Sequence, residues 1–414
     1  MKKIQNSNGI LKGTIWNMLG SIMYGANSFV MLSLVSRIGT VEETGYFGIA
    51  FTTAQLLYIV GLFGVNNYQM TDYREKYHFS DYARVKEFSC MLMIMGCIVS
   101  ILIFRFRGEK LLYLCILTVL MMINAVGELY QSLFFKKNRL DISGSALFFR
   151  TLWSLLIFIA VLLWSKNIFL ALIAQIILDF LITMYYAVKV SPKFRDKGEE
   201  RKNCKNAKAL VVECLPLFVS TFLVNIIINA SKYGIEVLST DTVQGYFNMI
   251  FIPAQVVNMC CQFVFKPLLH YYSVLIFESR VKELLKALAR QLVMAVAFTG
   301  VCSVCAYVLG AEILGILYKK DLSVFRVHLM LVVIGGGVFA ICQLFYYIFV
   351  ILRWQKYILI NYLFAIILTF AATAILVAEM EIMGAVLAFI ITHIFILLCN
   401  VCVFAWFIWR KVHG

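Results

Sequence analysis

Six side chains in this sequence carry charge inside apolar runs. Asp179 stands in "IILDFLI", His393 in "FIITHIFIL", Glu128 after "NAVG" and Arg150 after "ALFF"; Glu213 and Lys232 lie near the two ends of one further run. A charge at the centre of a bilayer costs about 2.5–3.5 kcal/mol on insertion scales, so such residues are functional candidates by default. A carboxyl held among apolar side chains can exchange a proton as its surroundings change. Asp179, Glu128 and His393 are therefore candidates for coupling transport to a proton or sodium ion, with Asp179 and His393 the deepest in their runs. The cations Lys232, Arg150 and Arg37 have the opposite use: they suit an anionic head group. Asn225 and Asn229 lie four apart, on one face if the run is helical, with Lys232 one turn beyond Asn229. The first run repeats this polar character with Asn17, Tyr24, Asn27 and Ser28 before Arg37, and Asn27 joins the head-group candidates. Pro216 and Pro253 fall inside apolar runs, with Pro267 just after the second. Proline removes a backbone hydrogen bond and bends a helix, so Pro216 and Pro253 are candidate gating positions.

The elements that must position these residues follow from composition. Hydrophobic residues make up 62% of the 414 and charged residues 14%, against about 45–50% and about 25% in a soluble domain. So much apolar surface needs lipid as its solvent. Scanning for runs of about 20 apolar residues gives twelve spans: 14–36, 44–66, 88–104, 111–133, 146–165, 167–188, 209–231, 243–265, 288–309, 327–352, 357–378 and 383–408. Only helices satisfy their own backbone over such runs in lipid. The formal charge of +15 fits basic cytoplasmic loops better than nucleic acid. With the amino terminus in the cytoplasm, inner segments hold roughly three times as many Lys and Arg as outer ones. Both termini are thus expected inside, and the outer cluster "RFRGEK" is the one discordant loop. The opening "MKKIQNSNGILKG" is read as leading into an uncleaved first span.

One phrase is written twice. "GYFGIAFTTAQ" at 45–55 returns as "GYFNMIFIPAQ" at 245–255, with six of eleven positions identical. "RVKE" at 84–87 returns at 280–283. The basic stretch 189–208 lies between the copies. The expected organisation is an amino-terminal six-helix bundle (1–188), a cytoplasmic basic linker (189–208) and a carboxy-terminal six-helix bundle (209–414). Six is even, so both bundles enter the membrane in the same sense, as a parallel repeat facing a shared cavity. Alternating access is the natural mechanism of such a pair. "IGGGVFA" at 334–340 is expected to allow close helix approach, and "ESRVKELLKALARQL" to lie on the cytoplasmic surface as a basic amphipathic helix.

Catalytic and nucleotide signatures are missing from the sequence: no GxSxG, Walker loop or HExxH occurs. The chain is accordingly not expected to be an enzyme, and an ion gradient, the membrane potential or the substrate's own gradient must drive transport. The 12 cysteines mostly sit in apolar runs, two pairs at CxxC spacing without a second pair to complete a metal site. Free thiols, no metal and no cofactor are expected.

The whole chain resembles the polysaccharide or O-antigen flippases of the Wzx type, in the multidrug/oligosaccharidyl-lipid/polysaccharide exporter (MOP) superfamily. The resemblance is carried by "LKGTIWNMLGSIMYGANSFVMLSLVSRIG", by "NNYQMTDYREKYHFSDY" at 66–82, and by "NASKYGIEVLSTDTVQGYFNMIFIPAQVVN" at 229–258. It implies an all-α polytopic membrane protein of about 12 helices in two bundles, V-shaped around a central cavity like the MATE transporters. It also implies a function: moving an undecaprenyl-diphosphate-linked oligosaccharide from the cytoplasmic to the outer leaflet of a bacterial plasma membrane. Such a flippase would serve O-antigen, lipopolysaccharide or capsule assembly, with membrane lipids, a glycan polymerase and other assembly proteins as partners, and no nucleic acid. By the matching "SKY", Lys232 would touch the head group. Family members often carry a basic residue where this chain has Asn66. Alternatives are a multidrug/cation antiporter of the same superfamily, which would want an acidic cavity, and a membrane glycan polymerase or ligase, which would want a large outer loop. A major-facilitator transporter fits poorly, because "TDYREKYHFSDY" lacks that family's loop pattern.

Overall fold

A computed structural model describes residues 7–72, 76–195, 204–265, 268–278, 280–352 and 354–413. Pro267 and residues 196–203 of the basic linker lie outside the described residues. Every regular element among them is helical. In chain order these are α1 (Ser7–Ile38), α2 (Val41–Leu62), α3 (Val65–Thr71), α4 (Phe79–Phe104), α5 (Gly108–Lys136), α6 (Leu140–Ser165), α7 (Ile168–Tyr185), α8 (Cys204–Leu238), α9 (Asp241–Phe265), α10 (Leu269–Phe277), α11 (Val281–Cys305), α12 (Ala311–Tyr318), α13 (Arg326–Ile351) and α14 (Gln355–His413). A π turn at Ala306–Gly310 joins α11 to α12, making one long span. α14 is broken at Glu381, whose φ of 45° and ψ of −114° end one arm and start the next. Eleven described helices are long and apolar enough to cross a membrane, and the break divides the last into two. The chain is a multi-pass membrane protein, and Leu102, Trp164, Ile367 and Leu398 are among the large apolar side chains left exposed on its helices.

Three sequence expectations shift at the ends of helices. α2 stops at Leu62 rather than running to 66, because Phe63 and Gly64 take positive φ and turn the chain into the short α3. α4 begins at Phe79 rather than 88, and its first turns bury Asp81 and Lys86. The segment expected as a surface helix before the ninth span is continuous with α11.

The chain divides into two compact units, Met1–Ile38 with Tyr46–Phe222 and Gly39–Gly45 with Leu223–Gly414. The division falls inside α8, not in the 189–208 stretch. The physical reason is visible in the first unit: Phe218 of α8 stacks on Phe63 at 4.5 Å, and Leu210 and Cys214 are buried in a core with Phe63, Val65, Tyr77 and Tyr82. In the second unit α13 is central. Its three glycines let three helices close in: a Cβ at Gly335 would press on Phe389, one at Gly336 on the Ala254 backbone and one at Gly337 on Thr299.

The repeated phrase has a structural counterpart. Over 45–55 and 245–255 the pattern of buried and exposed positions differs only at Thr53 and Pro253. Each copy follows a threonine at its helix start: Thr40 accepts from the Glu43 N–H at 3.1 Å, and Thr240 from the Val243 N–H at 3.4 Å. The shared glycines are reciprocal. A Cβ at Gly45 would strike the Asp241 carbonyl, and one at Gly245 the Val41 carbonyl. "RVKE" behaves otherwise. Arg84 is in the second turn of α4, whereas Arg280 caps the start of α11, so that match marks no equivalent place.

Candidate functional site

The first unit holds a polar centre built from five helices. α5 supplies Glu128, α6 Arg150, α7 Asp179, and α1 and α2 supply Tyr24 and Tyr58, whose rings lie 6.3 Å apart. Arg150 and Asp179 are each only 3% exposed. The Arg150 charge acts on both Glu128 and Asp179. Gly127 makes room for it: a Cβ there would collide with the Arg150 Nη1. Both terminal nitrogens of Arg150, one oxygen of Asp179 and the Thr183 hydroxyl are buried with no hydrogen-bond partner among the described residues. A small cleft of about 10 Å³ lies beside them, lined by Gly127, Gln131, Arg150, Thr183 and Tyr186 among others. Each buried orphan costs about 1–3 kcal/mol, so this centre stores unused hydrogen-bonding capacity.

Beside it runs a second chain of polar contacts. The Lys86 ammonium, 2% exposed, donates to the Gly61 carbonyl at 2.8 Å and to the Asn66 side-chain oxygen at 3.1 Å. Asn66 donates from its nitrogen to Glu128 at 3.3 Å. Ser89 also donates to Gly61 at 2.8 Å. Lys86 was missed in the sequence because it sits among the charged residues of a loop-like stretch. Its signal was position: it falls on the buried face with Val85 and Ser89 once α4 starts at Phe79.

Two carboxylates hold the described residues on either side of α3. Asp72 accepts from the Tyr82 hydroxyl at 2.7 Å, the Lys76 and Tyr77 N–H groups at 3.0 and 3.2 Å, and the Lys136 ammonium at 3.3 Å. Burial alone would raise its pKa, but these donors together hold it below the usual carboxylate range. Glu213 of α8 accepts from Tyr68, from Tyr77 at 3.0 Å and from Lys76 at 2.5 Å. The bond to Glu213 pushes Tyr68 up to about 12 and raises Lys76. Glu213 is thus the centre of a clasp on the first unit.

In the second unit Lys232 is 9% exposed, with its ammonium over the Phe251 ring at 5.1 Å. Neighbouring Ser231 donates to the Ala385 carbonyl at 2.9 Å, and a Cβ at Gly234 would collide with Thr373; both fix the turn of α8 that carries Lys232. Asn229 donates to the Asn225 carbonyl of its own helix at 3.0 Å. Arg37 is exposed in the last turn of α1. Asn27 has a buried side-chain oxygen without a partner among the described residues. Pro216 and Pro253 lie inside α8 and α9, with Pro216 six residues before the division between units. His393, 1% exposed, shares 2.7 Å with the Phe389 carbonyl of its own helix and packs on the rings of Phe389 and Phe339. The structure therefore brings Glu128, Arg150 and Asp179 together, and carries Lys232 and His393 in the other unit.

The described cysteines are free thiols, and no group of three His, Cys, Asp or Glu gathers among the described residues.

Residues 10–268 match the family described as "Polysaccharide biosynthesis protein". A curated relative from Staphylococcus aureus, "Capsular polysaccharide biosynthesis protein CapF", is 21% identical over 396 residues, covering 93% of this chain and 96% of its own. Among solved structures, the lipid II flippase MurJ in an inward closed conformation superposes with a TM-score of 0.70 at 15% identity, over 94% of this chain and 87% of its own. An inward-facing MATE-family multidrug resistance transporter of the MOP superfamily gives 0.69 at 12% identity, over 97% and 98%. These two likenesses show the fold: the helical arrangement is like that of these two proteins, in line with the sequence resemblance.

Proposed function

This chain belongs to the polysaccharide biosynthesis protein family, and from that premise we propose that it is a flippase for a lipid-linked glycan. The cargo is an undecaprenyl-diphosphate-linked oligosaccharide, carried by alternating access from the cytoplasmic to the outer leaflet of a bacterial plasma membrane. Both termini face the cytoplasm, and membrane lipids, a glycan polymerase and other assembly proteins are its partners. The chain transports without making or breaking a covalent bond, and needs no cofactor beyond a coupled ion. Relatives named for capsule synthesis and for flipping lipid II support this reading.

The observation that carries it is Lys232. Moving an uncompensated diphosphate into hydrocarbon costs many kcal/mol, and a buried ammonium on α8 offsets that loss. Asn225 and Asn229 on the same helix add hydrogen-bonding groups, and Arg37, exposed at the end of α1, attracts the anionic head group at the outer side. Pro216 and Pro253 let α8 and α9 bend as access alternates.

Ion coupling belongs to the polar centre of the first unit. Asp179 and Glu128 share the Arg150 charge, so gain or loss of a proton at either changes what Arg150 must balance. These acidic neighbours assign Arg150 to coupling rather than to the head group. His393, bonded within its own helix and enclosed by two rings, is assigned to packing. Export of a cationic drug is the second reading, because an acidic pair such as Glu128 and Asp179 also suits a cation.

A bacterial strain deleted for this gene tests the choice. It should accumulate lipid-linked repeat units on the inner leaflet, and the wild-type gene but not Lys232→Ala should restore surface glycan. Restoration by Lys232→Ala, or drug sensitivity with normal glycan, would reject the flippase reading.

A further inference from the structure

The two carboxylates of the polar centre, Glu128 and Asp179, are not equivalent, and the difference lies in hydrogen bonds from the loop side. Glu128 is reached from α3 by Asn66, and Asn66 is held by Lys86 of α4. Lys86 in turn is anchored on the last turn of α2 through the Gly61 carbonyl, which Ser89 also holds. Three helices therefore meet at one buried ammonium, and Asn66 carries the link to a fourth, α5. Asp179 has less support: Ser154 of α6 bonds to it and Arg150 and Tyr24 face it, but one of its oxygens is buried without a partner among the described residues.

We propose that Lys86 is a positioning residue that acts through Asn66 to hold Glu128 as a fixed negative charge, leaving Asp179 as the group that takes up and releases the coupled proton. This deepens the coupling assigned above and rests on it. A lysine out of water needs a compensating negative charge close by. The groups that bear on Glu128 are Lys86 from α4, Arg150 from α6 and the hydroxyls of Tyr24 and Tyr58 from α1 and α2. Cys90 and Cys214 also lie near Lys86. Glu128 is the carboxylate that bears on Lys86, so protonating it would leave Lys86 uncompensated, while Arg150 would still face Asp179. Protonating Asp179 leaves Glu128 to balance the centre. Asn66 is suited to the link: an amide donates from nitrogen and accepts at oxygen, so it passes orientation from an ammonium to a carboxylate without carrying charge.

Infrared titration of the purified full chain, with isotope-labelled aspartate, reads carboxyl protonation without requiring transport. Above about pH 5, where Asp72 stays ionised, the wild type should show one buried carboxyl band that changes with pH, shifted by the aspartate label and removed by Asp179→Asn. Lys86→Met should add a second titrating band, unshifted by the label and removed by adding Glu128→Gln, while Lys86→Arg should not add it. Asn66→Leu, which leaves the lysine in place, should also add the second band and serves if Lys86→Met fails to fold. A wild-type band removed by Glu128→Gln, or Lys86→Met and Asn66→Leu spectra identical to wild type, would overturn the proposal. Vesicle flux measured on the same preparations separates the two claims: absent glycan flux with the expected spectra rejects the flippase, not the role of Lys86.

Discussion

At the scale of single residues, the sites depend on whether a buried polar group is paired. Asp72 gives the clearest pH dependence. Its donors hold its pKa below the usual range although burial works against them. A carboxyl depressed in the folded state stabilises the fold at every pH above its unfolded value near about 4, and that contribution is lost as pH falls through the folded value. Thermal unfolding of the wild type should therefore weaken on acidification below about pH 4. Asp72→Asn should unfold earlier at neutral pH, by about 1–3 kcal/mol, with a flatter acid limb; equal limbs would show that Asp72 is not the group responsible. For Lys232, Lys232→Ala should cut glycan transport about tenfold or more, a loss of at least about 1.4 kcal/mol, while Lys232→Arg retains most of it. Flux in vesicles measures both. Reading the sequence by charge in apolar runs found Glu128, Arg150, Asp179 and Lys232. It passed over Lys86, Tyr58 and Gly127, because a lysine among loop charges, a tyrosine in grease and a small residue announce nothing until their neighbours are known.

At the scale of helices, close approach and side-chain clasps decide the arrangement. The glycines of the repeated phrase were legible as a repeat but not as contacts. Their reason is steric: each leaves space for a backbone carbonyl at the start of the other helix. Gly45→Val and Gly245→Val should each destabilise by about 1–3 kcal/mol through overpacking, read as a lower thermal midpoint in detergent; a neutral effect would mean that these helices can move apart freely. The first third of α8 is held by Glu213 to Tyr68, Tyr77 and Lys76, while residues from 223 onward belong to the other unit. Glu213→Gln weakens three bonds at once. It should raise amide hydrogen exchange in α8 before Pro216 while leaving α13 protected, and unchanged exchange in α8 would remove the clasp as a restraint. None of this was visible in sequence, where Glu213 reads only as an acid at the edge of a span.

At the scale of the whole molecule, hydropathy carried most of the information. Lipid forces long apolar helices, so the spans, the repeated phrase and the fold likeness could all be read from runs and phrases. Helix ends were less legible because they are set by contacts: Gly64 turns α2 early, buried Asp81 and Lys86 lengthen α4, and Glu381 breaks α14 without any proline or glycine at that position. The proposed orientation has its own check. Single cysteines in a version lacking reactive native thiols should be labelled from outside the cell at 166 and 319 and only after permeabilisation at 189; the reverse pattern would invert the topology. The most direct test of the account is leaflet exchange of a fluorescent undecaprenyl-diphosphate oligosaccharide in vesicles that hold the purified chain. The expected result is exchange that depends on the protein, rises with an imposed proton gradient, and is lost in Lys232→Ala and uncoupled from the gradient in Asp179→Asn. Exchange no faster than in protein-free vesicles, or unaltered in both variants, would contradict it.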